Sequence, residues 1–199
     1  MIKKVLSLFS IFLFIFLISC VSKPETRYTD AKKLKEKADK YELKQYAEDD
    51  YEKGEKNLQE GRRLIDSKKS MAALKVLDES NKNFQTVLDK GLPPCAEEQG
   101  KKAEEQKEIA KEIKTEVAVK DKFDKAEEKF NEASKSYDAK QYEEAIMQYN
   151  QAEEGYKEAY EETKIKMEKA KEAIEEAEDY KDQMEEDIRL YEEEQNEEE

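Results

Sequence analysis

Residues 137–152 read YDAKQYEEAIMQYNQA, and this stretch decides the fold of the chain. Its tyrosines and alanines recur at intervals of three, four and three residues, so they share one face of an α-helix: Tyr142, Ala145, Tyr149 and Ala152. The preceding helix is predicted to end at about Asp138, which leaves a connection of only a few residues. Because so short a connection makes two helices antiparallel neighbours, the stretch predicts a helical hairpin.

The same spacing continues far beyond this hairpin. It holds at Tyr156, Ala159, Thr163, Lys166, Ala170, Ala173, Ala177, Tyr180 and Met184, and Ile188 and Tyr191 extend it. A sustained three-four repeat is typical of coiled coils. We therefore predict a long, coiled-coil-like terminal helix and an elongated molecule. Residues 192–199 carry almost only acidic side chains and are predicted to be a solvated acidic tail.

A shift of 72 positions superimposes the first half of the chain on the second. One apolar stripe, Ala47, Tyr51, Gly54, Leu58, Gly61 and Ile65, falls on Val119, Phe123, Ala126, Phe130, Ala133 and Tyr137. A second, Ala73, Leu77, Ser80, Phe84 and Val87, falls on Ala145, Tyr149, Ala152, Tyr156 and Ala159. The sequence thus predicts an all-α fold of two elongated antiparallel helical hairpins, over residues 29–90 and 95–191.

The segment Gly91-Leu92-Pro93-Pro94 stands between the two copies. Gly is favoured just past a helix end and Pro in a first helical turn, so residues 91–94 are predicted to be a linker between the hairpins. Cys95 is then expected to cap a turn at the start of the next helix, with a redox or intermolecular role as the open alternative. An intramolecular disulfide is not expected, because the only other cysteine is the predicted lipidation site, Cys20.

The hairpin at residues 137–152 resembles the central part of a tetratricopeptide repeat. The spacing of Tyr142, Ala145, Tyr149 and Ala152 is the spacing of that family, in which small residues lie where helices cross and large ones fill the adjoining grooves. The resemblance covers about thirty residues, and the family's first-helix Trp and Gly and its closing Pro are missing at the matching places. It implies paired helices that bind another protein.

Composition excludes several classes of function. The chain has 199 residues, 44% of them charged, and a net charge of −14, which argues against binding to nucleic acid or to anionic lipid headgroups. It has no His, so the usual general base and zinc ligand are missing. Carboxylates occur everywhere, yet none stands in an apolar sequence context that would perturb its pKa. We predict no enzyme activity, no metal and no cofactor.

The N-terminus has the pattern of an export signal. Lys3 and Lys4 precede an apolar run that ends in Leu17-Ile18-Ser19-Cys20, and these four residues resemble the bacterial lipobox. The resemblance implies that residues 1–19 are removed and that Cys20 is acylated, so that residues 20–28 tether the protein to a lipid bilayer. Val21 follows the cysteine, where an Asp would indicate inner-membrane retention in some bacteria. An exported protein of the outer membrane is therefore expected.

The chain as a whole is similar to small envelope lipoproteins of bacteria, many of them from spirochaetes. The leading functional hypothesis is a non-enzymatic scaffold that binds a protein partner in the cell envelope, through tyrosines that point away from the core. The residues predicted for this contact are Tyr41, Tyr46, Tyr160 and Tyr180. Two alternatives stay open: a structural coiled-coil spacer that forms a homodimer, and an accessory component of a solute or lipid carrier.

Overall fold

The structure is a computed structural model that describes residues 23–197, with side chains described as far as Leu190. The fold is all-α, which confirms the predicted class, and residues 23–197 contain no strand. The helices are α1 (Pro24–Lys40), α2 (Glu48–Asp66), α3 (Ser70–Glu112), α4 (Thr115–Ala118), α5 (Lys120–Asp138) and α6 (Tyr142–Glu197), with a 3₁₀ helix at Leu43–Tyr46. None of them combines the length and apolarity needed to cross a membrane.

The chain divides into two compact units between Cys95 and Ala96. In the first unit, α1, α2 and the first part of α3 pack around one apolar core. The ring of Tyr51 meets that of Phe84 edge-on, with centroids 5.7 Å apart. Small residues on α1 bring the helices close, since Ala31 and Ala38 are fully buried. Burial of each large apolar side chain contributes about 1.5–3 kcal/mol, so this core is the main source of stability in the unit.

In the second unit, α4, α5 and α6 pack with the last part of α3. Two aromatic pairs join α5 to α6: the ring centroids of Phe123 and Tyr156 are 5.3 Å apart, and those of Phe130 and Tyr149 are 5.4 Å apart. Small side chains fill the rest of the helix contacts, and these are buried: Ala103, Ala110, Ala126, Ala133, Ala145, Ala152 and Ala159. The apolar stripe of α6 is therefore a core face as far as Thr163.

The turns after α2 and α5 share one backbone conformation. Lys68 and Lys140 both have a positive φ of 59°. The amide of Lys68 donates to the carbonyl of Ile65 and that of Lys69 to Leu64, and the same two bonds recur from Lys140 to Tyr137 and from Gln141 to Ser136. This pair of bonds is a Schellman motif, which satisfies the last carbonyls of a helix.

The helix break predicted at residues 91–94 is wrong, because α3 continues through this segment. Pro93 and Pro94 lie inside the helix, and Gly91 does not have a positive φ. A Cβ at Gly91 would lie 2.9 Å from the Cβ of Leu43, so the glycine serves a close approach of α3 to the 3₁₀ helix. Cys95 likewise lies within α3 and does not cap a turn at a helix start.

Two other predicted boundaries need correction. Helix α1 begins at Pro24, in the first-turn position that suits proline, so it starts before the predicted first hairpin and residues 24–28 are helical. Helix α6 continues to Glu197, so the backbone of the predicted acidic tail is helical over most of its length. The predicted signal peptide, residues 1–19, and the predicted lipidation site, Cys20, lie outside the described residues.

Candidate protein-binding surface

Helix α6 leaves the core of the second unit after Thr163. Tyr156, Ala159 and Thr163 are fully buried, whereas every residue from Lys164 to Leu190 is exposed. The ion pair of Lys122 with Glu162 at 2.8 Å and the bond from Lys166 Nζ to the carbonyl oxygen of Ala118 at 3.0 Å lie where the helix leaves the core. Residues 164–190 are called the terminal segment below.

One face of the terminal segment is apolar. The terminal stripe consists of Met167, Ala170, Ala173, Ile174, Ala177, Tyr180, Met184 and Ile188. Tyr180 is 72% exposed and Met184 is 60% exposed, although such side chains normally lie against another element. An apolar stripe of this width is typical of a helix face that packs against a partner. No described residue of another helix covers it.

The predicted stripe was too narrow. The strict three-four series runs through Ala170, Ala173 and Ala177 and does not include Met167 and Ile174. Met167 lies four residues after Thr163, and Ile174 lies four residues after Ala170. Apolar residues four positions from a member of the series are therefore the signal that could have found them.

The rest of the terminal segment is charged, and its last part is strongly acidic. Residues 172–190 contain nine acidic and two basic side chains. The ion pairs that the structure shows here join neighbours on the same helix, such as Lys171 with Glu175 at 3.6 Å and Lys181 with Glu185 at 3.4 Å. In both pairs the lysine precedes the glutamate, the weaker of the two orders, and such exposed pairs contribute about 0.2–0.5 kcal/mol each.

The structure does not bring the four predicted contact tyrosines together. Tyr180 lies on the terminal stripe. Tyr41 and Tyr46 are half-buried and pack against the core of the first unit, so the prediction that they point away from the core is wrong. Tyr160 is half-buried on α6, with Lys164 Nζ 5.5 Å from its ring centroid. Tyr180 is therefore the predicted residue that remains exposed for a contact.

Cys95 is held inside the first unit. It packs against the core, and its Sγ lies 3.8 Å from the backbone carbonyl oxygen of Tyr41. This position favours a packing role for the thiol over the redox alternative.

An ion-pair network joins helices in each unit. In the first, Lys35 Nζ lies 2.7 Å from Tyr51 Oη and 3.2 Å from Glu55. Burial opposes the protonated form of Lys35, but hydrogen bonds to Asp39 and Tyr51 outweigh it and raise the pKa of the lysine. Tyr51 in turn donates to Asp39, and hydrogen bonds from Lys35 and Tyr51 overcome the effect of burial and lower the pKa of Asp39.

The second unit has a related network with the hydroxyl on a different helix. Lys107 Nζ lies 2.6 Å from Glu127, and Tyr156 Oη donates to the same carboxylate at 2.8 Å. Burial by itself would raise the pKa of Glu127, but the bonds from Lys107 and Tyr156 outweigh burial and lower it. Burial and the bond to Glu127 raise the pKa of Tyr156. In both networks, these groups join helices and form their hydrogen bonds and ion pairs with one another.

An open groove of about 430 Å³ lies on the surface of the second unit. Three of its lining residues are aromatic, Phe130, Tyr137 and Tyr149, and the others are Glu97, Gly100, Lys101 and Glu104. A Cβ at Gly100 would lie 3.1 Å from the ring of Tyr149, so the glycine lets that ring approach α3 closely. The apolar stripes of the sequence do not predict this groove, because Gly100 falls outside them.

Comparison of the chain with protein-family models, with curated proteins and with solved structures gave no significant match. Over the described residues, no group of three or more His, Cys, Asp or Glu side chains is arranged to hold a metal ion. The terminal stripe is thus the feature on which a functional interpretation depends.

Proposed function

We propose that this protein is a lipid-anchored, non-enzymatic scaffold that binds a protein partner in the bacterial cell envelope. The observation that carries the proposal is the terminal stripe, an apolar helix face that no described residue covers. Tyr180, Met184 and Ile188 are exposed to water, and a second apolar surface that covers them lowers the free energy of the system. A scaffold of this kind needs no catalytic residue.

The anchor in this proposal is Cys20. Its sequence context, Leu17-Ile18-Ser19-Cys20, supports acylation of the thiol after export. Two or more acyl chains are needed for a stable anchor, since each buried methylene contributes about 0.8 kcal/mol. The outer membrane is the proposed location, because Val21 follows the cysteine.

The proposed architecture is a duplicated, tetratricopeptide-like helical unit with a period of 72 residues. Four non-glycine residues with positive φ support it, since Glu42 and Lys114 are 72 positions apart, as are Lys68 and Lys140. Each such residue costs free energy, so the recurrence at one spacing is unexpected for unrelated segments. The first residues of the helices support it too, since α2 begins at Glu48 and α5 begins 72 positions later, at Lys120.

Packing inside the two units also supports a duplication. Leu43 lies against Gly91 in the first unit, and the positions 72 residues later hold two side chains of similar size, the fully buried Thr115 and Thr163. An exchange of one large and one small residue for two of intermediate size conserves core volume, which is the substitution that cores tolerate best.

The structural spacer is the second candidate function, and the three-four spacing of the terminal stripe favours it. In that case a second copy of the chain would cover the stripe. Light scattering on the full chain in detergent, corrected for bound detergent, separates the two functions. A monomer over a wide concentration range favours the scaffold, and a stable dimer favours the spacer. The groove beside Phe130, Tyr137 and Tyr149 supports the carrier alternative, because aromatic side chains suit an apolar ligand.

Site-specific photo-crosslinking in living cells tests the scaffold. A photoreactive phenylalanine analogue replaces Tyr180 in the full chain, and a matched control carries it at the neighbouring exposed position Asp179, which helical spacing places on the opposite face. We expect a discrete crosslink to an envelope protein from position 180 and little or none from position 179. Crosslinks to a second copy alone, or none from either position, would contradict the scaffold.

A further inference from the structure

We infer that the terminal stripe binds a basic amphipathic helix, with lysines or arginines on both sides of its own apolar face. The inference rests on the proposed function and names the chemistry of the partner. Three observations on the last part of α6 carry it: an uncovered apolar face, acidic side chains along its borders, and a concentration of negative charge that the helix itself offsets only in part.

Negative charge is segregated at the end of the chain. Residues 172–199 contain fifteen acidic and two basic residues, a net charge of −13, whereas the whole chain has −14. The preceding residues 1–171 are therefore close to neutral. A binding partner that meets this part of α6 encounters almost the entire net charge of the protein, which favours a cationic partner.

Acidic side chains border the terminal stripe. Glu176 and Glu185 lie alongside Ala173, Ala177 and Met184 on the surface of the helix, together with one cation, Lys181. They hold the positions that flank a helix–helix contact, where opposite charges on two helices select the partner and its orientation. Cations at the facing positions of a second helix would come within reach of both carboxylates.

The helix offsets only part of this negative charge by itself, since Lys181 lies 3.4 Å from Glu185 but residues 172–190 hold nine acidic and two basic side chains. Glu175 and Asp179 are four residues apart, as are Glu178 and Asp182, and like charges at this spacing destabilise a helix. Positive charge on a partner would relieve this repulsion, so binding and helix stability are coupled.

A second copy of the chain is a poorer occupant. In a parallel pair, residues 172–199 of the two copies, each with a net charge of −13, would lie next to each other. In an antiparallel pair, Lys164, Lys166 and Lys169 would face the acidic end, but residues 163–190 of each copy hold ten acidic and six basic side chains, so the pair remains negative. Self-association thus lacks the charge complementarity that a basic helix offers.

A designed peptide pair tests this inference on the full chain in neutral detergent. Both peptides form an amphipathic helix as long as the terminal segment with a leucine face, and one carries lysine and the other glutamate at the positions that flank that face. We expect fluorescence anisotropy to show binding of the lysine peptide, at least about tenfold weaker binding of the glutamate peptide, and loss of affinity as salt rises.

Two charge variants locate the binding face. The variant Glu176→Lys with Glu185→Lys changes the borders of the stripe, and we expect it to weaken lysine-peptide binding by about tenfold or more. The matched control Glu172→Lys with Asp179→Lys changes the net charge equally on the opposite face, and we expect a loss below about threefold. All four residues are exposed, so neither change disturbs a core.

An apolar variant tests the stripe itself. Met184→Ser with Ile188→Ser keeps the charge, and we expect it to abolish measurable binding of the lysine peptide, since both side chains are exposed members of the stripe. Circular dichroism on each variant shows whether the helix is retained.

Several outcomes would overturn the inference: no binding of the lysine peptide, equal binding of the two peptides, or equal losses in the two charge variants, which indicate attraction to net charge alone. A dimer of the full chain that dissociates in the Met184→Ser and Ile188→Ser variant would also overturn it. If any of these results accompanies a crosslink from position 180 to an envelope protein, the scaffold function stands and only the chemistry of its partner is wrong.

Discussion

At the scale of residues, close helix packing depends on a few positions where even one methyl group has no room. A Cβ at Gly61 would lie 2.3 Å from Cδ2 and 2.5 Å from Cγ of Leu77, a buried side chain of α3. Alanine normally stabilises a helix relative to glycine by about 1 kcal/mol, so the absence of a side chain here serves the packing and opposes helix propensity.

Gly61→Ala is expected to lower the free energy of unfolding by about 1–3 kcal/mol, because the added methyl group overpacks the contact with Leu77. Leu77→Ala alone is expected to cost about 2–5 kcal/mol through the cavity it leaves. The double variant should be less destabilised than the two single changes together, since each relieves the defect of the other. Urea unfolding measures all three, and a Gly61→Ala protein more stable than the parent would contradict the packing.

Glu127 is expected to contribute stability that depends on pH. Its folded-state pKa is lowered by Lys107 and Tyr156, so its contribution is present above the titration range of an ordinary glutamate and disappears as the pH falls through the lowered pKa. Glu127→Gln should cost about 1 kcal/mol near neutral pH, a value discounted for partial exposure.

Urea unfolding of the parent and the Glu127→Gln variant at neutral and at strongly acid pH measures this effect. The difference between the two should shrink toward acid pH. Glu128→Gln is the control, because Glu128 is exposed on the same helix, and it should change stability little at either pH. A difference that persists or grows in acid would contradict the role of Glu127.

At the scale of elements, the turn after α5 depends on a lysine in a conformation that favours glycine. Lys140 has a φ of 59° and occupies the position of the Schellman motif where glycine is usual. Lys68 holds the same place after α2. The short connections are therefore maintained by backbone hydrogen bonds and by the cores on either side, at some cost in local strain.

Lys140→Gly is expected to raise the free energy of unfolding by about 0.5–1 kcal/mol, because glycine adopts a positive φ without the clash of a Cβ. Thermal unfolding by circular dichroism measures the change. Lys69→Gly is the control: Lys69 lacks a positive φ, and glycine there should leave the protein unchanged or less stable. Equal effects of the two substitutions would contradict the turn conformation.

The segment 91–94 shows how an element can be misjudged from sequence. Gly followed by two prolines is an ordinary pattern for a helix end and a new start, yet α3 runs through it. Tertiary packing overrides the local preference, since Gly91 lies against Leu43, Leu92 packs on the same core and Cys95 approaches Tyr41. A proline inside a helix costs about 3 kcal/mol, in part through a lost hydrogen bond. Continued burial of this helix face outweighs that cost at Pro93 and Pro94.

At the scale of the whole molecule, the proposed function requires one end of the chain to hold a membrane and the other to hold a partner. Substitution of Cys20 tests the first requirement. In a bacterium that processes lipoproteins, the parent chain should fractionate with membranes and incorporate labelled fatty acid. Cys20→Ser should abolish the label and shift the protein to the soluble fraction.

Cys95→Ser provides the matched control for this experiment, because Cys95 is half-buried in the first unit and is not the predicted acylation site. That variant should keep both the label and the membrane fraction. Retention of the Cys20→Ser protein in the membrane with its label would contradict the proposed anchor.

The sequence by itself determined the features that depend on local spacing and on composition. These are the all-α class, the apolar stripe of α6 and the segregation of negative charge after residue 171, which are read directly from the order of side chains along a helix. Tertiary structure decided the rest: that Tyr41 and Tyr46 pack on a core, that α1 begins at Pro24, and that α3 continues past Gly91. Those outcomes depend on contacts between residues far apart in the chain, such as Gly91 with Leu43, whose packing energy exceeds local backbone preferences.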